Sequence, residues 1–340
     1  MHRTNNFDIL RLYFAATVVL AHCFALSQEP HLSWIPFLVN SRIAVESFFA
    51  MSGYLIIGSY ERSPSFRSYI QKRGLRILPA YWAAFLFSLT LGSILSTFSF
   101  LRFATSFDTW RYIFADLTFA NFMHPSLPGL FEHNPDGPAV NGALWTIKIE
   151  LMFYLAVPVI SVLCKRFGKW QIPSILFFVS AIYYSICERF NHDNLAKQLP
   201  GQLCFFAIGI IVYYYIDFLL RHKMWAIALA VFACVGYLIT GRLLVEAIAV
   251  PMAVFSVAFF LPHIEGPTKY GDFSYGVYVF HFPVIQALVA LGLFAAHPWI
   301  AMETVLIVVS LLAVASWKLI ESPSLRLGAK QRTRAIQVNS

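Results

Sequence analysis

Apolar residues in this chain run unbroken for about 18 to 25 positions at a time, long enough to cross a ~30 Å hydrocarbon core as helices. They do not alternate with polar ones, so the two-residue period of a membrane β-barrel is absent. Backbone groups in lipid must then be satisfied within each helix. The pattern predicts ten spans, at residues 7–28, 37–60, 75–98, 143–164, 171–188, 200–217, 223–240, 243–263, 272–296 and 298–320. The expected fold class is all-α: a polytopic integral membrane protein organised as one transmembrane domain over 1–323, followed by a short basic tail over 324–340.

Residues 99–142 form the longest stretch outside the spans. It opens with FDTWRYIFADLTFANF, an amphipathic piece expected to lie flat at the interface with Trp110, Tyr112 and Phe114 among its anchors. It continues into MHPSLPGLFEHNPDGPAVNG, a Pro/Gly-rich loop open to a polar substrate. His124, Glu132, His133 and Asp136 in that loop lack recognisable ligand spacing, so no metal is expected. The basic, apolar N-terminus imitates a signal peptide, but Asp8, Arg11 and His22 interrupt it and nine spans follow. It reads as an uncleaved first span.

Composition agrees: 59% of residues are hydrophobic and 12% charged, about half the charge of a soluble domain. With the N-terminus in the cytoplasm, eighteen of the 25 lysines and arginines fall in cytoplasmic segments and six outside. The positive-inside rule therefore puts both termini in the cytoplasm and accounts for the net charge of +8 without nucleic acid. Five cysteines, none in a CxxC, lie in or at the ends of apolar runs and read as packing residues. The expected location is a cytoplasmic membrane, crossed ten times.

Ionisable residues inside spans are functional candidates, with a structural ion pair as the alternative. Arg11 and His22 are eleven apart, which returns a helix to within ~20° of its start and separates them by ~16 Å along one face. Asp8 lies on the same side. An arginine at the mouth suits an anion, and a deeper imidazole can move a proton near neutrality. Arg73 and Arg76 share a face where the third span begins, beside Lys72, a pattern that suits phosphate. Arg42 and Glu46, spaced i, i+4, are able to neutralise each other. Ser52 and Gly53 lie deeper in that span, where Gly53 admits a second helix or a thin ligand.

Trp145 marks the start of the fourth span, and Glu150 lies about a third of the way in, on a different side from Lys148. Glu150 therefore needs another partner, and His22 is at a suitable depth. The ninth span, GDFSYGVYVFHFPV, carries Tyr275 and a mid-membrane His281, with Pro283 expected to kink it. Metal-site, P-loop and dinucleotide signatures are missing. A transporter fits ten spans with buried charges as well as an enzyme does.

Six blocks in order, FDILRLYFAATVVLAH, VESFFAMSGYLI, RGLRILPAYW, LWTIKIELMFY, SYGVYVFHFPV and IESP, resemble those of the membrane acyltransferase-3 family over residues 7 to about 323. The resemblance implies transfer of an acyl group, usually acetyl, from cytoplasmic acyl-CoA to a hydroxyl of a polysaccharide or lipid-linked saccharide. It implies a catalytic His22 assisted by Glu150, and Arg11, Arg73, Arg76, Ser52 and Gly53 along the donor site. Asp8, Glu46, Trp145, Tyr275 and His281 remain substrate-binding or structural candidates. Acetyl-CoA is implied as a substrate, with no permanently bound cofactor. Many family members carry an additional esterase-like domain; none is seen here, so the helical domain is expected to act alone or with a separate partner.

Overall fold

A computed structural model describes residues 5–63 and 65–329. It is 81% helical, with no strand among the described residues. Ten helices correspond to the expected spans: α1 (Phe7–Ser27), α2 (Ser41–Glu61), α3 (Phe66–Leu95), α4 (Trp145–Phe167), α5 (Gln171–Arg189), α6 (Leu199–Arg221), α7 (Lys223–Thr240), α8 (Leu243–Phe260), α9 (Ser274–Ala290) and α10 (Pro298–Ser316). Nine helical segments among the described residues are long and apolar enough to cross a membrane. The exception is α9, at 17 residues rather than the span expected over 272–296. It stops because Gly292 turns left-handed, φ +76°, and a separate short helix, Leu293–Ala296, precedes α10.

Two other boundaries move. Helix α3 begins at Phe66, well before residue 75, so Arg73 and Arg76 occupy its third turn rather than its mouth. Helix α10 runs through a π-turn, Trp317–Glu321, and continues helical to Ala329. The basic tail expected over 324–340 is thus helical at its start, and its residues 330–340 lie outside the described residues.

The amphipathic piece forms a helix over Phe107–Leu117. Trp110 and Phe114, four residues apart, are exposed, as are Phe107 and Leu117. Tyr112, an expected anchor, is instead 1% exposed and packs parallel to Phe85. It lies ~200° around the helix from its two neighbours, which sends it to the opposite face.

The chain forms two compact units: Met1–Phe14, Arg42–Ile70 and Ile149–Pro267 in the first, and Ala15–Ser41, Gln71–Lys148 and Thr268–Ser340 in the second. In the first, α5 packs on α6, α7 on α8, and α6 on α8. Helices α2 and α6 cross at glycines. A Cβ on Gly53 would stand 2.1 Å from the Phe206 carbonyl oxygen, and one on Gly209 at 2.1 Å from that of Ala50. Small residues let two backbones approach this closely. Phe153 stacks on Phe206 beside the crossing.

In the second unit α9 packs on α10, with Gly276 against the Ala313 backbone. Phe85, Phe103, Tyr112, Leu127, Leu130 and Phe131 form a buried cluster that joins the end of α3 to the loop before α4.

Candidate active site

Proline in α9 builds the site. Pro283 has no N–H, so the Val279 carbonyl four residues earlier loses its helical donor. Asn141 Nδ2, from the loop before α4, donates to that carbonyl at 2.9 Å. A buried polar group is thus satisfied from another segment, which ties the loop to the helix. A turn further on, Gln286 is fully buried and donates to the carbonyls of Gly137 and Ala139, while Asn134 donates to the Gln286 carbonyl and Oε1. The loop is therefore held to α9 along two turns.

His281 projects from the same part of α9 and is completely buried. Its Nδ1 lies 2.6 Å from the Tyr278 carbonyl oxygen, and its Nε2 lies 2.8 Å from Nδ1 of His22 on α1. The two imidazoles are parallel within 6°. The Phe282 ring stands edge-on to His22 at 5.5 Å, and Gly142 abuts Phe282 so closely that a Cβ would come within 2.8 Å of the ring.

Hydrogen-bonding rules assign the protons. A carbonyl oxygen only accepts, so His281 Nδ1 carries a hydrogen and its Nε2, in the neutral ring, a lone pair. His22 Nδ1 must then donate to that lone pair. The proton of neutral His22 sits on Nδ1, and its Nε2 holds a lone pair with no hydrogen-bond partner among the described residues. His22 is only partly buried, unlike His281. The arrangement is an accessible base oriented by a buried residue behind it.

Tyr278 braces the same region, its Oη 2.9 Å from Thr146 Oγ1 at the start of α4. Trp145 heads that helix, and Lys148 lies over the Phe122 ring at 3.9 Å.

Arg73 and Arg76 lie elsewhere in the second unit, on α3. Arg76 is ion-paired to Asp272, just before α9, and Asp272 also accepts from Ser274 Oγ. Glu321, in the π-turn after α10, is within electrostatic reach of both Arg76 and Asp272. Tyr275 Oη donates to the Ile77 carbonyl, which fixes the start of α9 to α3 beside Arg76. Asp272 and Glu321 were not singled out as site residues from sequence, although both fall in or beside the motif blocks.

The remaining candidates belong to the first unit. Asp8 and Arg11 form an i, i+3 ion pair. Arg42 pairs with the expected Glu46 at 3.9 Å, but more closely grips both oxygens of Glu246 at 2.8 and 2.9 Å and reaches Glu188 at 3.2 Å. Glu46 and Glu246 are each 1% exposed. Glu246 carried no sequence signal beyond being a charge in an apolar run. The space Gly53 opens is filled by α6, with Ser52 partly buried beside it. Glu150 accepts from Tyr154 Oη at 2.8 Å. Among the described residues no group of three His, Cys, Asp or Glu is disposed to hold a metal.

The profile of a family described as an acyltransferase domain matches residues 4–317. The chain is 27% identical to Nodulation protein 10 of Rhizobium leguminosarum bv. viciae, over 99% of this chain and 97% of that one. It is 29% identical to an O-acetyl transferase of Shigella phage Sf6, over 94% and 96%. It is 26% identical to exopolysaccharide production protein ExoZ of Rhizobium meliloti (strain 1021), over 86% and 92%. No solved structure matches. With the match spanning nearly every helix and an oriented imidazole base among them, the chain belongs to the acyltransferase-3 family and is a multi-pass membrane O-acyltransferase.

Proposed function

We propose that the protein moves an acyl group, acetyl in the simplest case, from cytoplasmic acyl-CoA to a hydroxyl of a cell-envelope or exported polysaccharide or glycolipid at the bacterial inner membrane. The names of two relatives, an O-acetyl transferase and an exopolysaccharide production protein, support both the group and the acceptor. The observation that carries the chemistry is the unpartnered Nε2 lone pair of His22, held by His281.

In this reading His22 Nε2 takes the proton of the acceptor hydroxyl as its oxygen attacks the thioester carbonyl. A C–O bond forms and the C–S bond breaks. The departing thiolate recovers the proton from the imidazolium, releasing CoA and the acyl ester. His281 accepts from Nδ1 throughout and so supports the cation. Arg73 and Arg76 bind the CoA phosphates through charge-assisted hydrogen bonds.

The test is transfer itself. Purified protein in lipid nanodiscs, given labelled acetyl-CoA and polysaccharide from an unacetylated strain, should put base-labile label on the glycan. Transport of a saccharide with the label still on CoA would overturn the reading.

A further inference from the structure

Helix α3 carries Arg76 in its third turn and ends at Leu95, so the two positions are separated by ~28 Å along one axis. That is close to the thickness of a hydrocarbon core. Just past the end of α3, the loop before α4 lines a second polar site, a cleft open on one side with a volume of about 270 Å³, bordered by Phe98, Asp108, Arg111, His124 and Glu132 among others.

Its walls are fixed from within the loop. Glu132 Oε1 accepts from the Gly129 N–H at 3.0 Å, and Thr97 N–H donates to the Gly129 carbonyl at 2.9 Å. Gly129 adopts φ +68°, and a Cβ there would strike Ser96 and Thr97, so only glycine closes this wall. Arg111 bridges Asp108 at 3.5 Å and His124 Nε2 at 3.3 Å. The Asp108–Arg111 pair is exposed and long, so it opens at little cost.

The chemistry of this wall suits one class of ligand. Carboxylates accept from hydroxyls, a guanidinium donates to them, and Phe98 offers an apolar surface to C–H groups. A polyhydroxylated ring needs all three. The volume lies just under the ~300 Å³ at which drug-sized pockets begin, which admits one ring rather than an extended nucleotide. Two carboxylates against one arginine weight this wall toward negative charge, which disfavours an anionic sugar.

The same loop leads to the histidines. Beyond the cavity, Asn134 and Asn141 latch it to Gln286 and Val279 of α9, and Val279 lies two residues before His281. We propose that this cavity is the acceptor subsite, docking one neutral or amino sugar ring of the glycan and presenting its neighbour toward His22. The proposal rests on the reading of the protein as a polysaccharide O-acyltransferase and adds the place and charge class of the acceptor.

Binding can be read apart from turnover. Saturation-transfer NMR on the full-length protein in nanodiscs would use neutral tetrasaccharides (glucan- and chitin-derived) and tetragalacturonate at equal concentration. Wild type should give transfer signals with a neutral tetrasaccharide and not with tetragalacturonate. Glu132→Gln keeps the Gly129 contact and should weaken neutral-sugar binding about tenfold. The double variant Asp108→Asn, Glu132→Gln should gain binding to tetragalacturonate. With the neutral sugar as acceptor, both variants should raise its KM about tenfold, with the KM for acetyl-CoA little changed. Unchanged binding in both variants, or preference of wild type for tetragalacturonate, overturns the proposal. Binding that behaves as described, without acyl transfer by wild type, would instead overturn the enzymatic reading and leave the subsite standing.

Discussion

His281 Nε2 accepts the Nδ1 hydrogen of His22 across 2.8 Å because the other nitrogen of His281 is committed to the Tyr278 carbonyl. The relay has one direction: a backbone oxygen sets the tautomer of His281, and His281 sets that of His22. A residue that acts this way is a positioning residue, and its loss should appear in turnover rather than in donor affinity. His281→Leu should lower kcat by about 10²–10⁴-fold, the range of general-base catalysis, with the KM for acetyl-CoA little changed. His281→Gln, whose amide oxygen can stand near the lost Nε2, should recover part of it. Equal activity of the Leu and Gln variants would show that the bond does not matter.

Arg76 is assigned to phosphate and not to the thioester. Arg76→Ala should therefore raise the KM for acetyl-CoA about tenfold or more, and leave unchanged the KM for S-acetyl-N-acetylcysteamine, a donor without the nucleotide. A parallel rise for both donors would move Arg76 out of the phosphate site and into structural pairing with Asp272.

Asn141 and Pro283 form a compensating pair around one carbonyl. Asn141→Ala orphans the buried Val279 oxygen and should cost about 1–3 kcal/mol of stability. In a Pro283→Ala background the helix regains its own donor, so the same change should cost measurably less. Thermal unfolding of the four proteins in detergent gives the coupling, and additivity would refute the explanation of how the loop is latched.

Glycines at 53 and 74 should respond oppositely. A Cβ at Gly53 meets the Phe206 carbonyl oxygen at 2.1 Å, so Gly53→Ala must part α2 from α6. A Cβ at Gly74 meets only Leu78 Cδ1, at 3.6 Å, and alanine there gains up to ~1 kcal/mol of helix propensity. Folded yield by size-exclusion chromatography should fall sharply for the first and hold for the second.

Asp116, on the short helix outside the spans, is fully buried against Tyr81 and Tyr112. Burial pushes its carboxyl up to about 6 from an ordinary 3.8, with the hydrogen bond from Tyr81 opposing the rise. The folded state holds this proton more tightly than the unfolded chain, so ionisation above pH 6 weakens the fold. Stability should rise as pH falls from 8 toward 4, by about 3 kcal/mol from this group. Asp116→Asn should remove that dependence and melt higher than wild type at pH 8. A wild-type melting temperature that falls over the same range would contradict this.

Much of the architecture was legible because lipid imposes it: run length alone located the ten helices, and only the early end of α9 was missed, because Gly292 breaks an otherwise apolar run. The amphipathic helix was legible as a helix, but Tyr112 was assigned by residue type rather than by angle. At the site, Arg11, His22, Arg73 and Arg76 stood out by charge and spacing on single helices. The His22–His281 bond joins residues 259 positions apart and has no local signature. Asn141 and Gln286 were invisible for the same reason, since their role depends on which carbonyl Pro283 leaves open. Glu46 shows both at once: its i, i+4 spacing correctly pointed to Arg42, while the closer grip of Arg42 on Glu246 comes from tertiary packing and has no local signature.

The central claim is that the Nε2 lone pair of His22 performs the transfer. The direct measurement is acetyl transfer from labelled acetyl-CoA to the native glycan by purified His22→Ala, with membrane insertion and unfolding temperature checked against wild type. Loss of transfer by at least about 10³-fold in a normally folded protein is the result expected. A folded His22→Ala protein that still acetylates the glycan at a rate near wild type would contradict the account.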